Sequence, residues 1–472
     1  MTIQKKIQSF CKKNDFDLEN KSILIATSGG VDSMILIDIL SKIDSIKKIG
    51  IAHCNFSLRE KESNEDEEFI KNYAQDNKHG NNIPFHSIKF NTKQIAEEEQ
   101  KSIQLIAREL RYDFFEKISH QNNYDFVATA HHLSDSLETS IYHLSKGTGI
   151  AGIRGILPKR NISTKNNLVQ IVRPLLCLTK EEIKNYANKN NLKWREDASN
   201  QTQKYQRNFI RHSIIPLLQK INPDTEKTFS DTSERLRNME NLLQFHVKEF
   251  EKTILIKEDK SSSIQVSEIN KLIEPLLIIS EFLKKKGFSY KQVKQILEQL
   301  ENNTQEKTKT FISKSHILYT EKKDWILVYQ NKLINKNKEF LINIDFNKNE
   351  SFIFQNQENK IKLNFKKCNP KEIDFKSEAM YLNLDKLEFP LKLRKWKNGD
   401  KFIPLGMKNK KNIGNFLTDL KIPIYQRNFV YVLVSKNEII WVGIIENNKV
   451  TGLRINNNFK LNKFTQNAVK VD

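Results

Sequence analysis

From Lys21 to about Asn191 the chain alternates short apolar runs with longer stretches in which apolar residues recur every three or four positions. The short runs 22–27, 48–53, 83–90 and 125–130 read as buried strands, and 31–41, 60–76, 92–119 and 134–145 carry helical spacing between them. This alternation predicts an α/β domain built on a doubly wound parallel sheet, which takes its ligands at the carboxyl ends of the strands.

Beyond Asn222-Pro223 the pattern changes. One long helix is expected over 231–254, with Leu236, Met239, Leu242, Leu243 and Phe250 at helical positions. Strand-like pieces and an amphipathic helix near 291–300 complete a mostly helical middle domain. After the Lys- and Asn-rich stretch 331–338, short apolar runs broken by Asn, Lys and Gly predict a small β-rich (α+β) terminal domain. With 472 residues, too many for one ordinary core, we expect three domains: a catalytic domain over 1–220, a middle domain over 221–330, and a terminal domain over 376–472. Residues 331–375 are the linker and the start of the terminal region. No internal repeat is evident.

Composition adds a partner class. The chain has 78 Lys+Arg against 57 Asp+Glu, a formal charge of +21. That excess attracts a polyanion such as nucleic acid, although the lysines are spread out and a lysine-rich proteome would give the same balance. Cys11, Cys54, Cys177 and Cys368 are isolated from one another, without the spacing of a zinc or iron–sulfur site. A reducing compartment follows. The first residues lack a signal-like apolar segment and no uncharged run is long enough to span a bilayer, so a cytoplasmic protein with no membrane contact is expected.

The stretch LIATSGGVDSM, 24–34, holds the densest chemistry. Ser28-Gly29-Gly30-Val31-Asp32-Ser33 fall on a strand-to-helix turn. There, backbone N–H groups converge on an anion, the helix amino terminus adds partial positive charge, and two hydroxyls can donate. An ordinary turn with Ser28 as a helix cap needs neither the double glycine nor Ser33. No Walker A pattern occurs. GTGIAG, 147–152, fits Gly-x-Gly-x-x-Gly but follows a helix where a dinucleotide site needs a strand, and is expected to be a mobile loop beside the active site.

The 28–33 turn resembles the pyrophosphate loop Ser-Gly-Gly-x-Asp-Ser of the ATP pyrophosphatases, which implies cleavage of ATP between its α- and β-phosphates. Further segments resemble the tRNA(Ile)-lysidine synthetases within that superfamily: AHCNFSLRE (52–60), ARELRYDFFEKI (107–118), ATAHHLSDSLETSIYHLSKGTGIAGIRGI (128–156), REDASNQTQKYQRNFIRHSIIPLL (195–218) and LRKWKNGDKFIPLGM (393–407). The resemblance implies that Ser28, Gly29, Gly30, Val31, Asp32 and Ser33 bind ATP together with His53, Asn55 and Arg59. Asp32, Asp135 and Glu138 are the implied catalytic carboxylates, with Asp32 and Asp135 as candidate Mg²⁺ ligands. Sequence does not apportion metal binding, lysine binding and proton transfer between Asp135 and Glu138, which at i, i+3 share a helix face. Arg108, Arg111, His131, His132, Asn200, Arg207 and Arg211 are the implied substrate and tRNA contacts, against a bland reading as surface ion pairs and structural histidines.

The implied reaction uses ATP to adenylate the C2 oxygen of the wobble cytidine in a CAU-anticodon isoleucine tRNA. Free lysine then displaces AMP, changing the codon read from AUG to AUA. Expected partners are that tRNA and L-lysine; the sequence leaves a homodimer open. One departure stands out: the family pattern Leu-Asp-Asp-Gln-x-Glu-Thr reads here Leu133-Ser134-Asp135-Ser136-Leu137-Glu138-Thr139. In the terminal region, cations from Arg394 to Lys411 surround Trp396 and Phe402, and Trp396 is as well suited to a core as to base stacking. Other adenylating enzymes of the superfamily, or a non-catalytic tRNA-binding relic, are the competing readings. The unpaired cysteines argue against sulfur transfer.

Overall fold

A computed structural model of the chain describes residues 2–471 apart from 59, 77–81, 164–167, 196–205, 258–260, 302–307, 322, 330–338, 345–350, 356–359, 371–379, 447–448 and 463. The chain folds as two compact units, Met1–Leu242 and Leu243–Asp472.

The first unit opens with α1 (Ile3–Lys13). It continues through β1 (Ser22–Ala26), α2 (Val31–Ser41), β2 (Lys48–Asn55), α3 (Glu60–Gln75) and β3 (Phe85–Lys89). Next come α4 (Thr92–Glu98), α5 (Ile103–Gln121), β4 (Phe126–Ala128), α6 (Leu133–Lys146), a single helical turn α7 (Ile150–Ile153), β5 (Lys159–Ser163), β6 (Leu168–Val172) and α8 (Lys180–Lys189). The sheet order is β3-β2-β1-β4-β6-β5, parallel throughout except for the β5–β6 hairpin. The chain moves outward from β1 to β3 and then crosses to β4, so the order reverses between β1 and β4. That reversal opens a crevice at their carboxyl ends.

Both faces are covered at the centre of the sheet, which explains why β1, β4 and β6 are largely apolar runs rather than alternating patterns, unlike the edge strands β3 and β5. Ile23 and Ile25 of β1 point into a cluster with Ile7, Ile35, Ile39, Ile70 and Ile183, from α1, α2, α3 and α8. Leu24, between them, packs on the other face with Phe114, Phe115, Val127 and Ile171. The helix expected over 92–119 is two helices. Gln100 takes φ +52°, which ends the first, and the Ser102 hydroxyl caps the second by accepting from the Leu105 N–H at 3.3 Å.

Short helices at Gln206–Phe209 (α9) and Ile215–Ile221 (α10) flank a π-helical turn, Ile210–Ile214, and the long helix α11 (Thr225–Lys252) follows. The sequence reading found α11 but placed its start six residues late.

The second unit contains the last turns of α11, helices Pro275–Lys284 and Tyr290–Glu301, and antiparallel sheets. One five-stranded sheet joins Leu255–Lys257, Ser261–Gln265, Asp324–Tyr329, His316–Thr320 and Lys309–Ile312, in that order. Leu243, Val247 and Phe250 of α11 are buried at i, i+4 and i+7, with the Phe250 ring edge-on to Phe282 at 5.6 Å. A second five-stranded sheet and a four-stranded sheet build the terminal region around Phe354, Leu393, Tyr431, Trp441 and Val469.

Ile37 of α2 is 0% exposed. Ile37→Ala is expected to cost roughly 2–5 kcal/mol, read as a lowered urea midpoint with an unchanged slope.

Candidate active site

The strand–turn–helix at residues 26–33 is shaped by its glycines. Gly29 takes φ +85°, where an L side chain is strained, although a Cβ there would meet Ile70 only at an ordinary 3.5 Å. Gly30 caps α2 without a side chain, and its carbonyl accepts from the Ser33 hydroxyl at 2.8 Å and the Met34 N–H at 3.1 Å. The amides of Val31 and Asp32, at the first two positions of α2, have no acceptor within the helix. The turn is held from below: Thr27 N–H donates to the Ala52 carbonyl at 2.9 Å, and buried His53 donates through Nδ1 to the Thr27 carbonyl at 2.9 Å. Ser28 Oγ lies 3.5 Å from the Gly30 amide.

Across the crevice, β4 leads into α6. The backbone N–H of His132, the residue that caps α6, donates to Asp135 Oδ2 at 3.0 Å. Buried His132 aims Nε2 at two carboxylates, Asp135 Oδ2 at 3.4 Å and Asp32 Oδ2 at 3.8 Å. The loop aspartate and the α6 aspartate therefore converge on one imidazole nitrogen. Two converging carboxylates fit Mg²⁺, a hard cation that takes one or two carboxylates and fills its remaining positions with phosphate oxygens and water.

Arg211, on the π-helical turn, clamps the other side of α6. Its Nε and Nη2 meet Glu138 at 2.6 and 3.0 Å, and Nη2 also reaches Asp135 Oδ1 at 3.1 Å. The wider π turn belongs to a class of helix irregularity frequent at functional sites. Burial pushes the Glu138 carboxyl above the ordinary glutamate range despite the Arg211 charge. Burial also opposes the Asp135 charge, but His132, His131 and Arg211 more than offset it and hold that carboxyl below its usual range. Two neighbouring carboxyls are thus driven apart, the pattern that separates a proton acceptor from a permanently charged group.

The other expected residues divide. His131 is exposed and bonds Thr129 through Nδ1 at 2.9 Å. Arg111 lies over the Phe56 ring at 5.3 Å, Arg108 over Tyr112 at 4.9 Å, and Arg207 over Tyr142 at 6.0 Å. Asn55 is buried, and its amide is committed to Asn64 at 3.1 Å and Glu67 at 2.9 Å, while its carbonyl accepts from the Ser57 N–H. Arg59 and Asn200 lie outside the described residues.

The sequence reading missed Lys180, the first residue of α8, whose Nζ stands 2.5 Å from Asp32 Oδ1. The capping box Thr179–Glu182 marked a helix start there, but nothing local linked that helix to Asp32, 148 residues away. It also missed Glu226. The Ser134 hydroxyl donates to Glu226 Oε1 at 2.7 Å, so the serine standing in the family's aspartate position ties α6 to α11. Ser136, in the family's glutamine position, accepts from the Ile156 N–H at 2.9 Å. Gly155 is required beside it: φ is +75°, and a Cβ would stand 2.3 Å from Ser136 Oγ. The glycine-rich segment expected to be mobile is anchored at its far end by this bond, by Ser140 Oγ to the Ile153 carbonyl at 2.6 Å, and by Ser233 Oγ to the Arg154 carbonyl at 2.5 Å.

In the second unit, considered alone, Trp396 packs against the cluster containing Phe402 and Phe416 and donates its indole N–H to the Arg427 carbonyl at 2.8 Å. It is half-buried at the edge of that core. Arg394 makes a two-pronged pair with Asp400, and Lys411 and Lys397 pair with Asp419 and Glu339. Lys401, Lys408 and Lys410 remain exposed.

Because the fold raises the Glu138 pKa, the stability tied to its protonated form is present below the ordinary glutamate range and is lost as pH rises through the folded value. Removing Arg211 raises that value further. Arg211→Gln should therefore destabilise the protein more at pH 7.5 than at pH 4.5 in urea melts, and Glu138→Gln in the same chain should erase the difference.

Three family models match the chain: a PP-loop domain over residues 1–218, a TilS substrate binding domain over 257–331 and a TilS substrate C-terminal domain over 391–459. Among curated relatives, the tRNA(Ile)-lysidine synthase of Parabacteroides distasonis is 32% identical over 99% of this chain and 98% of its own length. That of Bacteroides thetaiotaomicron is 32% identical over 99% of both. That of Bacillus subtilis is 30% identical over 93% of this chain and 92% of its own. No helix among the described residues is long and apolar enough to cross a membrane. With a glycine-rich strand-to-helix turn whose Asp32 meets His132 and Asp135 at the sheet's switch point, and with such likeness along nearly the whole chain, the protein belongs to the tRNA(Ile)-lysidine synthase family, ATP-using ligases of the PP-loop class.

Proposed function

We propose that the chain joins L-lysine to C2 of the wobble cytidine of a CAU-anticodon isoleucine tRNA in two steps at the crevice between β1 and β4. The observation that carries the reading is the convergence there of Asp32, from the phosphate turn, with the α6 pair Asp135 and Glu138. In the first step the cytidine O2 attacks the α-phosphorus of ATP and pyrophosphate leaves. The Val31 and Asp32 amides and the Ser28 hydroxyl hold the departing phosphates, and Ser33, its hydroxyl given to the Gly30 carbonyl, braces the turn that presents them. Asp32 and Asp135 would hold Mg²⁺, which supplies charge neutralisation to those phosphates.

In the second step the ε-amine of lysine attacks C2, the C2–O bond breaks and AMP departs with the oxygen. The amine must lose a proton to attack. Glu138, its carboxyl raised by burial, accepts that proton more readily than an ordinary glutamate, while Asp135 keeps its negative charge and orients the incoming ammonium. Arg211 fixes both carboxylates. His131, Arg108, Arg111 and Arg207 bind the RNA around the cytidine, with Arg111 and Phe56 offering a cation and a ring. Phosphate contacts to the tRNA fall along the segments 221–330 and 376–472; the charge that supports them lies in 376–472, with 18 Lys+Arg against 8 Asp+Glu and exposed Lys401, Lys408 and Lys410 among them.

Incubation with ATP, Mg²⁺, labelled lysine and the unmodified tRNA, followed by digestion and mass spectrometry, should yield lysine on cytidine, and Asp32→Ala should abolish it. Pyrophosphate release without that product would assign the chain to another adenylation. Glu138→Gln should retain pyrophosphate release in the first turnover but slow lysine transfer about 10²-fold or more, the usual worth of a general base. Equal loss in both steps would remove Glu138 from the base role.

A further inference from the structure

The phosphate turn has no cationic side chain of its own. Ser28-Gly29-Gly30-Val31-Asp32-Ser33 offers amides and hydroxyls, and its one charged group is an acid. A leaving pyrophosphate carries several negative charges, and a P-loop answers the same problem with a lysine inside the loop. Here the cation comes from elsewhere in the fold. We propose that Lys180 binds the β- and γ-phosphates of ATP at this turn and stays on the pyrophosphate as it leaves. The inference rests on the pyrophosphate reading of the turn given above.

Three observations carry it. Lys180 Nζ lies 2.5 Å from Asp32 Oδ1, and Asp32 is the second residue of α2, at the helix end whose unpaired amides face the turn. The Lys180 backbone is rigidly placed. Thr179 and Glu182 close a reciprocal cap at 3.2 and 2.9 Å, and the Lys180 N–H points to Glu226 Oε2 at 3.4 Å. The ammonium thus sits on a flexible four-carbon stem rooted at a fixed point, suited to passing from a carboxylate oxygen to a phosphate oxygen beside it. Finally, the Lys180 side chain is 33% exposed and that of Asp32 is 30%, so their pairing is a solvated one that exchanges at little cost.

Arg195 is another cation beside the turn, its N–H bonded to the Gly29 carbonyl at 3.1 Å. Its guanidinium is taken up by Glu65 at 2.9 Å and Asp66 at 2.5 Å. Lys180 differs in that its partner belongs to the turn itself. The plainer role for Lys180 is a strap that orients Asp32, and it makes a different forecast.

The test is calorimetric titration of the full chain with magnesium pyrophosphate, with AMP as the control. Lys180→Met should weaken pyrophosphate binding at least tenfold, leave AMP binding unchanged, and keep its effect in an Asp32→Asn background; Lys180→Arg should restore most of the affinity. Unchanged pyrophosphate binding in Lys180→Met, an equal loss for AMP, or an effect that vanishes with Asp32→Asn would overturn the proposal and leave the turn's assignment standing. A wild-type chain that does not bind pyrophosphate would overturn both.

Discussion

Three carboxylates crowd one crevice, and the compensation of their charge organises the first unit. Asp32, Asp135 and Glu138 are brought together by the switch in strand order, and each is answered by a group from a different part of the chain: Lys180 from α8, His132 from the cap of α6, Arg211 from the π-helical turn. Buried or half-buried charges persist only when paired and hydrogen-bonded, so these pairings fix where α6, α8 and the 206–221 segment stand around the sheet. The same constraint separates the two α6 carboxyls. Asp135 faces His132, His131 and the helix-cap amide as well as Arg211, and stays charged. Glu138 is pushed toward its neutral form by burial, against the hydrogen bond and charge of Arg211 and with the Asp135 charge beside it.

The departure from the family pattern in α6 is absorbed by hydrogen bonding. An aspartate at position 134 would face the carboxylate of Glu226, which is 9% exposed, across a hydrogen-bond distance; a serine donates to it instead. Glu226 also accepts from the Lys180 amide, so a neutral hydroxyl at 134 leaves that carboxylate free to serve both α6 and α8. At position 136 the small serine admits the close approach of Gly155 and bonds the Ile156 amide. Neither change touches Asp32, Asp135 or Glu138.

Legibility followed the range of the interactions. β1, β2 and β4 and the helices between them were readable because these strands are mostly buried and burial writes itself into local periodicity, whereas the β5–β6 hairpin, exposed at Arg160 and Asn161, was not read. The break between α4 and α5 was not, since it depends on one positive φ at Gln100 inside a run with good helix formers. The five-stranded sheet of the second unit showed only as strand-like pieces, because its partners are brought together from 255 to 329 by pairing rather than by neighbouring turns. Trp396 was open between core and surface until Phe402, Phe416 and the Arg427 carbonyl were seen around it.

Local chemistry determined by sequence alone was considerable: a glycine-rich strand-to-helix turn with two hydroxyls and an acid, two carboxylates one helical turn apart, a basic chain and the order of the elements are all properties of the sequence itself. Which charges compensate which was decided only by the tertiary structure. Lys180 meets Asp32 across 148 residues, Arg211 meets Glu138 across 73, and Ser134 meets Glu226 across 92. A charge pair leaves no periodic trace in the chain, since its energy depends on distance and burial in space, and both are set when the sheet closes its order around β1 and β4.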